Sequence, residues 1–325
     1  MELFTDVATQ YADFAAYAGD SPCFEAWARA VADDPEVLAW IGSLPPVKQQ
    51  PNLVFAAARW HGVLAPGPYA GLRAALLGDD GSVRATILAR ATQTNEVGRL
   101  ATLTPFLGEV AEASGRPLAL LEVGASAGLC LYPDRWSYAW HLDDDVVTAG
   151  TGPRLDCAVT GALPSTAVPS VAWRGGVDLN PLDVTDPDAM AWLQNLVWPE
   201  QEERRERLGT AIGIAAAEPP RLLRGDLLTA LPDLVGEAAA YGEVVVFHSA
   251  VIAYLEPPDR DRFHDLVTGL VGDGRCRWIS NEGRQVLPRV TATAPTQAGA
   301  GAFVLGVDGR ARALTHGHGA AMTVL

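Results

Sequence analysis

The sequence predicts an α/β protein in which an all-helical N-terminal cap precedes a parallel, doubly wound sheet that closes in a C-terminal antiparallel hairpin. Three observations lead there. Through the first 115 residues apolar side chains recur at spacings of three and four. After Pro117 the pattern becomes a continuous apolar run, LALLEV, entering a turn of small residues, as a buried parallel strand does when it feeds a helix. Strand-like and helical runs then alternate toward the C-terminus. The expected division is a helical cap domain at residues 1–115 and an α/β domain at 116–325.

In order, the helical segments are MELFTDVATQYADFAAYAG, FEAWARAVA, PEVLAWIGSL, NLVFAAARWHGVL, GLRAALLG, VRATILARA and EVGRLATLTPFLGEVAEASG, separated by breakers such as Gly19-Asp20, Pro45-Pro46 and Pro66-Gly67-Pro68. In the second half VAWRGGVDL, RLLRGDLL, EVVVFHSAVIAYL and CRWISNEG read as strands. DPDAMAWLQNLVWPEQEERRERLGTAIGIAAA, LTALPDLVGEAAA and PPDRDRFHDLVTGLVG read as the intervening helices, the first long enough for two. The tail holds two extended runs around Asp308-Gly309, a hairpin signal. Residues 137–171 are expected to be an insertion, a hairpin over the site.

Composition bounds the function. The 325 residues, 49% hydrophobic and 19% charged, build a folded core. A net charge of −15, from 39 acidic against 24 Lys and Arg, repels a phosphate backbone, so nucleic acid is not an expected partner. Cys23, Cys130, Cys157 and Cys276 form no C-x-x-C pair, which fits a reducing cytoplasm and indicates neither a zinc site nor a disulfide framework. No basic-then-apolar leader opens the chain and no run approaches about 18 apolar residues, so neither export nor a membrane span is expected.

The most informative segment is Glu122-Val123-Gly124-Ala125-Ser126-Ala127-Gly128. Small residues let backbone approach a ligand, and a helix N-terminus beyond them favours an anionic group. A tight strand-to-helix turn packed for its own sake is the plain alternative. Acids at successive strand ends add weight: Asp178-Leu179 and Asp226-Leu227 follow in order. This series resembles class I S-adenosylmethionine-dependent methyltransferases, whose first strand ends E-x-G-x-G-x-G, whose second ends in an acid that grips the ribose, and whose third ends near an acid facing the adenine. The resemblance makes Glu122, Gly124, Ala125, Ser126, Gly128, Asp178, Leu179, Asp226 and Leu227 the cofactor-binding set, with Ser126 where a glycine is usual. Glu122 and Asp178 stand 56 residues apart, against about 20 for a bare strand–helix–strand unit, and hence the insertion.

Gly124-Ala125-Ser126-Ala127-Gly128 also satisfies G-x-S-x-G, the nucleophile elbow of α/β-hydrolases. Asp226 with His248, His316 or His318 completes the triad order, but an elbow normally follows several strands and no HGGG-like oxyanion segment precedes this one.

The segments PNLVFAA (51–57), TQTNEVGR (92–99), LLEVGASAGL with Asp134-Arg135, GVDLNPLDVTDPD, LVWPEQEERRERL and VVFHSAVIAYL together resemble an uncharacterised bacterial domain family of unknown function, common in actinobacteria, over nearly the whole chain. That resemblance implies a methyltransferase-like fold and no established reaction. Cys130 and Leu131-Tyr132-Pro133 depart from the Asn and apolar residues such a pocket leads one to expect.

The run Gln93 to Arg99 is more polar than a helix cap needs. Gln93, Asn95 and Arg99 are candidate substrate-binding residues with Tyr132, and Glu96 is a candidate base. His248, at a strand end, is either a general base or a hydrogen-bonded core histidine. Tyr254, with Tyr132 and Trp136, suits a sulfonium through cation–π attraction or else is core. His316-Gly317-His318 lacks a third metal ligand and reads as a solvated strand end, so no metal is expected. Glu200 to Arg207 has the charge spacing of an exposed helix. The resulting expectation is a methyltransferase using S-adenosyl-L-methionine on a small-molecule acceptor. A lyase or cyclase consuming the same cofactor, a Ser126 hydrolase and a non-catalytic nucleoside-binding protein stand as alternatives.

Overall fold

Several helix starts in the computed structural model are set by short polar side chains, some of them followed by proline. It describes residues 6–93, 95–143, 145–295 and 303–325. Asp6 accepts the Thr9 N–H to open α1 (Val7–Tyr17), Ser21 accepts that of Phe24 at α2 (Pro22–Ala32), and Asp34 accepts two N–H groups at α3 (Pro35–Gly42). Pro22 and Pro35 sit in the first turn, where a missing N–H costs nothing. Next come α4 (Pro51–Trp60), α5 (Tyr69–Leu77), α6 (Ser82–Ala89) and α7 (Leu100–Ser114), which ends at Gly115 in the left-handed region, φ 64°.

Beyond α7 lie β1 (Leu118–Val123), β2 (Ser137–Leu142), β3 (Asp145–Gly150), β4 (Arg154–Thr160) and β5 (Val171–Asp178). They are followed by α8 (Pro187–Asn195), α9 (Glu202–Ala217), β6 (Arg221–Arg224), α10 (Leu227–Ala238), β7 (Glu243–Ser249), α11 (Pro257–Gly272), β8 (Arg277–Gly283) and α12 (Pro288–Thr291). The chain closes with β9 (Phe303–Val307), β10 (Arg310–Thr315) and β11 (Ala321–Val324).

Two compact units result, Met1–Thr94 with Asp186–Gly209, and Asn95–Thr185 with Thr210–Leu325. The first is helical. Phe14, Phe24, Trp27 and Phe55 fill its core with Trp192 and Trp198. The Glu200 carboxylate accepts the Ser21 hydroxyl and the Cys23 N–H there.

This division departs from a contiguous boundary at residue 115. Helix α7 packs on β2, β4, β7 and β8, which cover its residues 100 to 108, all of them buried. Residues 186–209 belong instead with the helices, since the indoles of Trp192 and Trp198 donate to Ala91 O and Asn52 Oδ1.

The second unit is mixed α/β and carries the eleven strands of the described residues in one mostly parallel sheet, order β3-β2-β4-β11-β10-β9-β8-β7-β1-β5-β6. β1 pairs in parallel with β5 and β7, and all six of its residues are buried, which a run of apolar side chains allows. β9 and β10 form the antiparallel hairpin, turning at Asp308-Gly309 as the sequence predicts. Residues 137–160 extend the sheet as β2, β3 and β4. The β2–β3 hairpin therefore lies at the sheet edge; Asp144 is outside the described residues. No helix among the described residues is long and apolar enough to cross a membrane.

Candidate functional site

Chain order reverses at β1. The path leaves β1 for β5 and β6 on one side, then returns to β7 and β8 on the other, so the carboxyl ends of β1 and β7 border a topological switch point. Ligands of open α/β sheets gather at such a crevice. Glu122 lies near the end of β1, and the Gly124–Gly128 turn follows it.

The turn is held by its own backbone and by one acid. Gly124, Ser126 and Gly128 have φ of 67°, 51° and 69°, conformations that favour glycine. Ser126 tolerates its position because the Asp178 carboxylate accepts its N–H at 2.8 Å and Leu182 N–H donates to its carbonyl. Asp178 also accepts the Asn180 N–H at 2.7 Å. At Gly124 an added Cβ would lie 1.9 Å from Val251 Cγ2, so that glycine is needed for close packing between the loops after β1 and β7.

Residues 95–99 lie across these strand ends. Asn95 Nδ2 donates to Ser126 Oγ at 2.7 Å. Glu96 is buried; its Oε1 accepts the Gly98 N–H and its Oε2 the His318 Nδ1 hydrogen at 3.1 Å. Arg99 Nε donates to Gly317 O at 2.7 Å and Nη1 to Ser249 O at 3.1 Å. The Cys130 thiol donates to the Glu96 carbonyl.

Glu122 is 8% exposed, and its Oε2 has no hydrogen-bond partner among the described residues. Burial, reinforced by the neighbouring Asp178 carboxylate, pushes its carboxyl well above the ordinary range, while the Arg99 guanidinium pulls the other way. A buried carboxyl oxygen without a partner is costly, and a cationic or hydroxyl-bearing ligand would satisfy it.

The structure thus gathers Asn95, Glu96, Arg99, Glu122, Gly124, Ala125, Ser126, Gly128 and Asp178 in one unit. Gln93 belongs to the helical unit, and Thr94 is outside the described residues. Asp226 is explained locally, as the cap of α10 accepting the Leu228 N–H; Leu227 follows it in the first turn, and Leu179 is 73% exposed. Tyr132 is buried under Arg174, 4.7 Å from ring centroid to guanidinium, and donates to Glu218 O. The ring face and the hydroxyl are thus both engaged within the protein. Tyr254 is 78% exposed.

His248 is a correction of a different kind. It is 0% exposed, and both ring nitrogens are engaged. The Trp278 indole, a donor only, gives its hydrogen to Nε2 at 3.1 Å, so Nδ1 carries the ring hydrogen and donates to Glu282 Oε1 at 2.7 Å. Neither nitrogen can take a proton from a substrate. Glu282 uses the same oxygen to accept the Val251 and Ile252 N–H groups, holding the loop after β7. Neither the role of Glu282 nor the pairing of His318 was apparent beforehand, since their partners lie 30 or more residues away in sequence.

No histidine hydrogen bonds to Ser126 among the described residues, and its hydroxyl accepts from an amide that cannot serve as a base. No group of three or more metal-ligating side chains is assembled among the described residues. All four cysteines are free thiols.

The described residues thus form a mixed α/β protein whose mostly parallel sheet carries a small-residue turn and a buried acid at its switch point. A profile described as an uncharacterized protein conserved in bacteria (DUF2332) matches residues 8–323, and the chain belongs to that family. No curated protein and no solved structure matches it.

Proposed function

We propose that this chain binds S-adenosylmethionine at the carboxyl ends of β1 and β5 and transfers its methyl group to a small-molecule acceptor. The observation that carries the reading is the unpartnered Glu122 oxygen, buried at the switch point beside a glycine-rich turn. The parallel run β6-β5-β1-β7-β8 supports this reading, because it opens a crevice at the carboxyl end of β1 where a cofactor of this size could lie. Glu122 suits the cationic part of the cofactor. Asp178, with two oxygens each taking one backbone N–H, keeps lone pairs for ribose hydroxyls. The chemistry the cofactor supplies is an activated methyl group, and the protein's contribution is positioning and exclusion of water.

Calorimetry with S-adenosylhomocysteine tests this directly. Binding to the full chain is expected, with Glu122→Gln weakening it about tenfold or more through loss of a charge-assisted hydrogen bond. No heat and no melting shift at millimolar ligand would sink the proposal.

A further inference from the structure

We infer that His318 is the proton acceptor for this reaction, with Glu96 as its positioning residue; the inference rests on the methyl-transfer reading above. Glu96 Oε2 lies 3.1 Å from His318 Nδ1, and Glu96 is 2% exposed, so a buried carboxylate fixes one face of the ring. A neutral histidine donating through Nδ1 presents Nε2 as a lone-pair acceptor. His318 Nε2 has no partner among the described residues, and the side chain is 33% exposed, half-open to solvent. This is the reverse of His248, where both nitrogens are consumed in the core.

The placement follows from residues already described. Gly317, next to His318, accepts from Arg99 Nε, and Arg99 is close enough to Glu122 to oppose the rise of its carboxyl pKa. Gly319, at φ 80°, sits so close to the Gly98 carbonyl that an added Cβ would be 2.1 Å from it, which locks the 316–319 loop against the 96–99 segment. His316 Nδ1 accepts the His318 N–H at 3.2 Å and completes the support. The loop between β10 and β11 therefore delivers an oriented imidazole to the same cluster that holds Glu122.

The step balances without a further reagent. The lone pair of an acceptor oxygen or nitrogen forms the bond to the methyl carbon while the carbon–sulfur bond breaks and its electron pair goes to sulfur. The proton released from the acceptor goes to His318 Nε2. The substrate class is then a small molecule with a dissociable O–H or N–H.

Diethyl pyrocarbonate labelling of the full chain, read by peptide mapping, tests the placement without needing the acceptor. Exposed His61 and His141 should label with or without ligand, and buried His248 should stay unlabelled. His318 should label readily and be slowed about tenfold by S-adenosylhomocysteine at about ten times its dissociation constant, as the unliganded fraction falls by mass action. If the ligand binds by calorimetry and His318 labelling is unchanged, the inference is overturned and the binding proposal stands. Absence of binding overturns both. For Glu96, nitrogen-detected NMR of the ring is expected to show a protonated Nδ1 and a bare Nε2, a signature lost in Glu96→Gln; an unchanged spectrum in that variant removes the positioning role.

Discussion

The Asp178 carboxylate, at the end of β5, accepts the backbone N–H of Ser126 in the turn after β1 at 2.8 Å. The acid that the sequence suggests for a ribose is thus also the brace of the glycine turn. Asp178→Ala should lower unfolding free energy by about 1.5–3 kcal/mol per lost bond to the charged group. It should also weaken S-adenosylhomocysteine more than Asp226→Ala does, which loses only a helix cap worth about 1 kcal/mol. Urea titration and calorimetry on both variants measure the difference; equal losses of affinity would count against the ribose role.

Ser126 holds φ 51° with its hydroxyl bonded to Asn95. Ser126→Gly should stay within about 1 kcal/mol of the parent, because relief at a left-handed position offsets the lost hydrogen bond. Ser126→Val, β-branched at positive φ, should cost about 1–3 kcal/mol. A fluorophosphonate that labels Ser126 stoichiometrically would instead establish a nucleophile.

Gly124 and Val251 are steric partners. Gly124→Ala should destabilise by about 1–3 kcal/mol through positive φ and overpacking against Val251, and Val251→Ala in the same chain should recover part of that loss. Strict additivity in thermal melts of the double mutant would show that the two loops do not meet.

His248→Phe leaves the buried Trp278 N–H without its partner and takes one of three donors from Glu282 Oε1, which keeps the Val251 and Ile252 N–H groups. The orphaned indole N–H should cost about 1–3 kcal/mol, so the melting point should fall. An unchanged melting point would contradict the core assignment.

Glu122 gives a pH signature. Its folded pKa is raised above the unfolded value, so the folded state keeps a proton that the unfolded chain has lost. Stability from this group is present below the unfolded carboxyl range and declines as pH rises toward the folded pKa, by at most about 1.4 kcal/mol per pH unit. Glu122→Gln should therefore gain on the parent as pH rises above about 4.5 and match it in acid, measured by urea unfolding without ligand. A constant difference across pH would place the Glu122 carboxyl in water.

Much of the chain order was legible because it is local. Ser21-Pro22, Asp34-Pro35 and Asp186-Pro187 open helices where a cap and a proline announce them, and Asp308-Gly309 turns where its dipeptide predicts. The six buried residues of β1 read as a parallel strand for the same reason. Residues 137–160 were not legible as three strands of the same sheet, since their partner β11 is formed by the last residues of the chain. His248 could not be sorted from sequence, because whether a strand-end imidazole meets solvent or an indole depends on Trp278, thirty residues on.

By itself the sequence determined most of the helical segments, the strands β1 and β5 to β10, the small-residue turn and the presence of Glu122 before it, each set by periodicity, capping or backbone freedom within a few residues. The tertiary structure alone decided which polar groups meet. It placed Asn95 on Ser126, Glu96 on His318 and Arg99 on Ser249 and Gly317, and it left one Glu122 oxygen buried without a partner among the described residues. Hydrogen bonding and burial act across space between segments up to 222 residues apart, and no local pattern encodes such pairings.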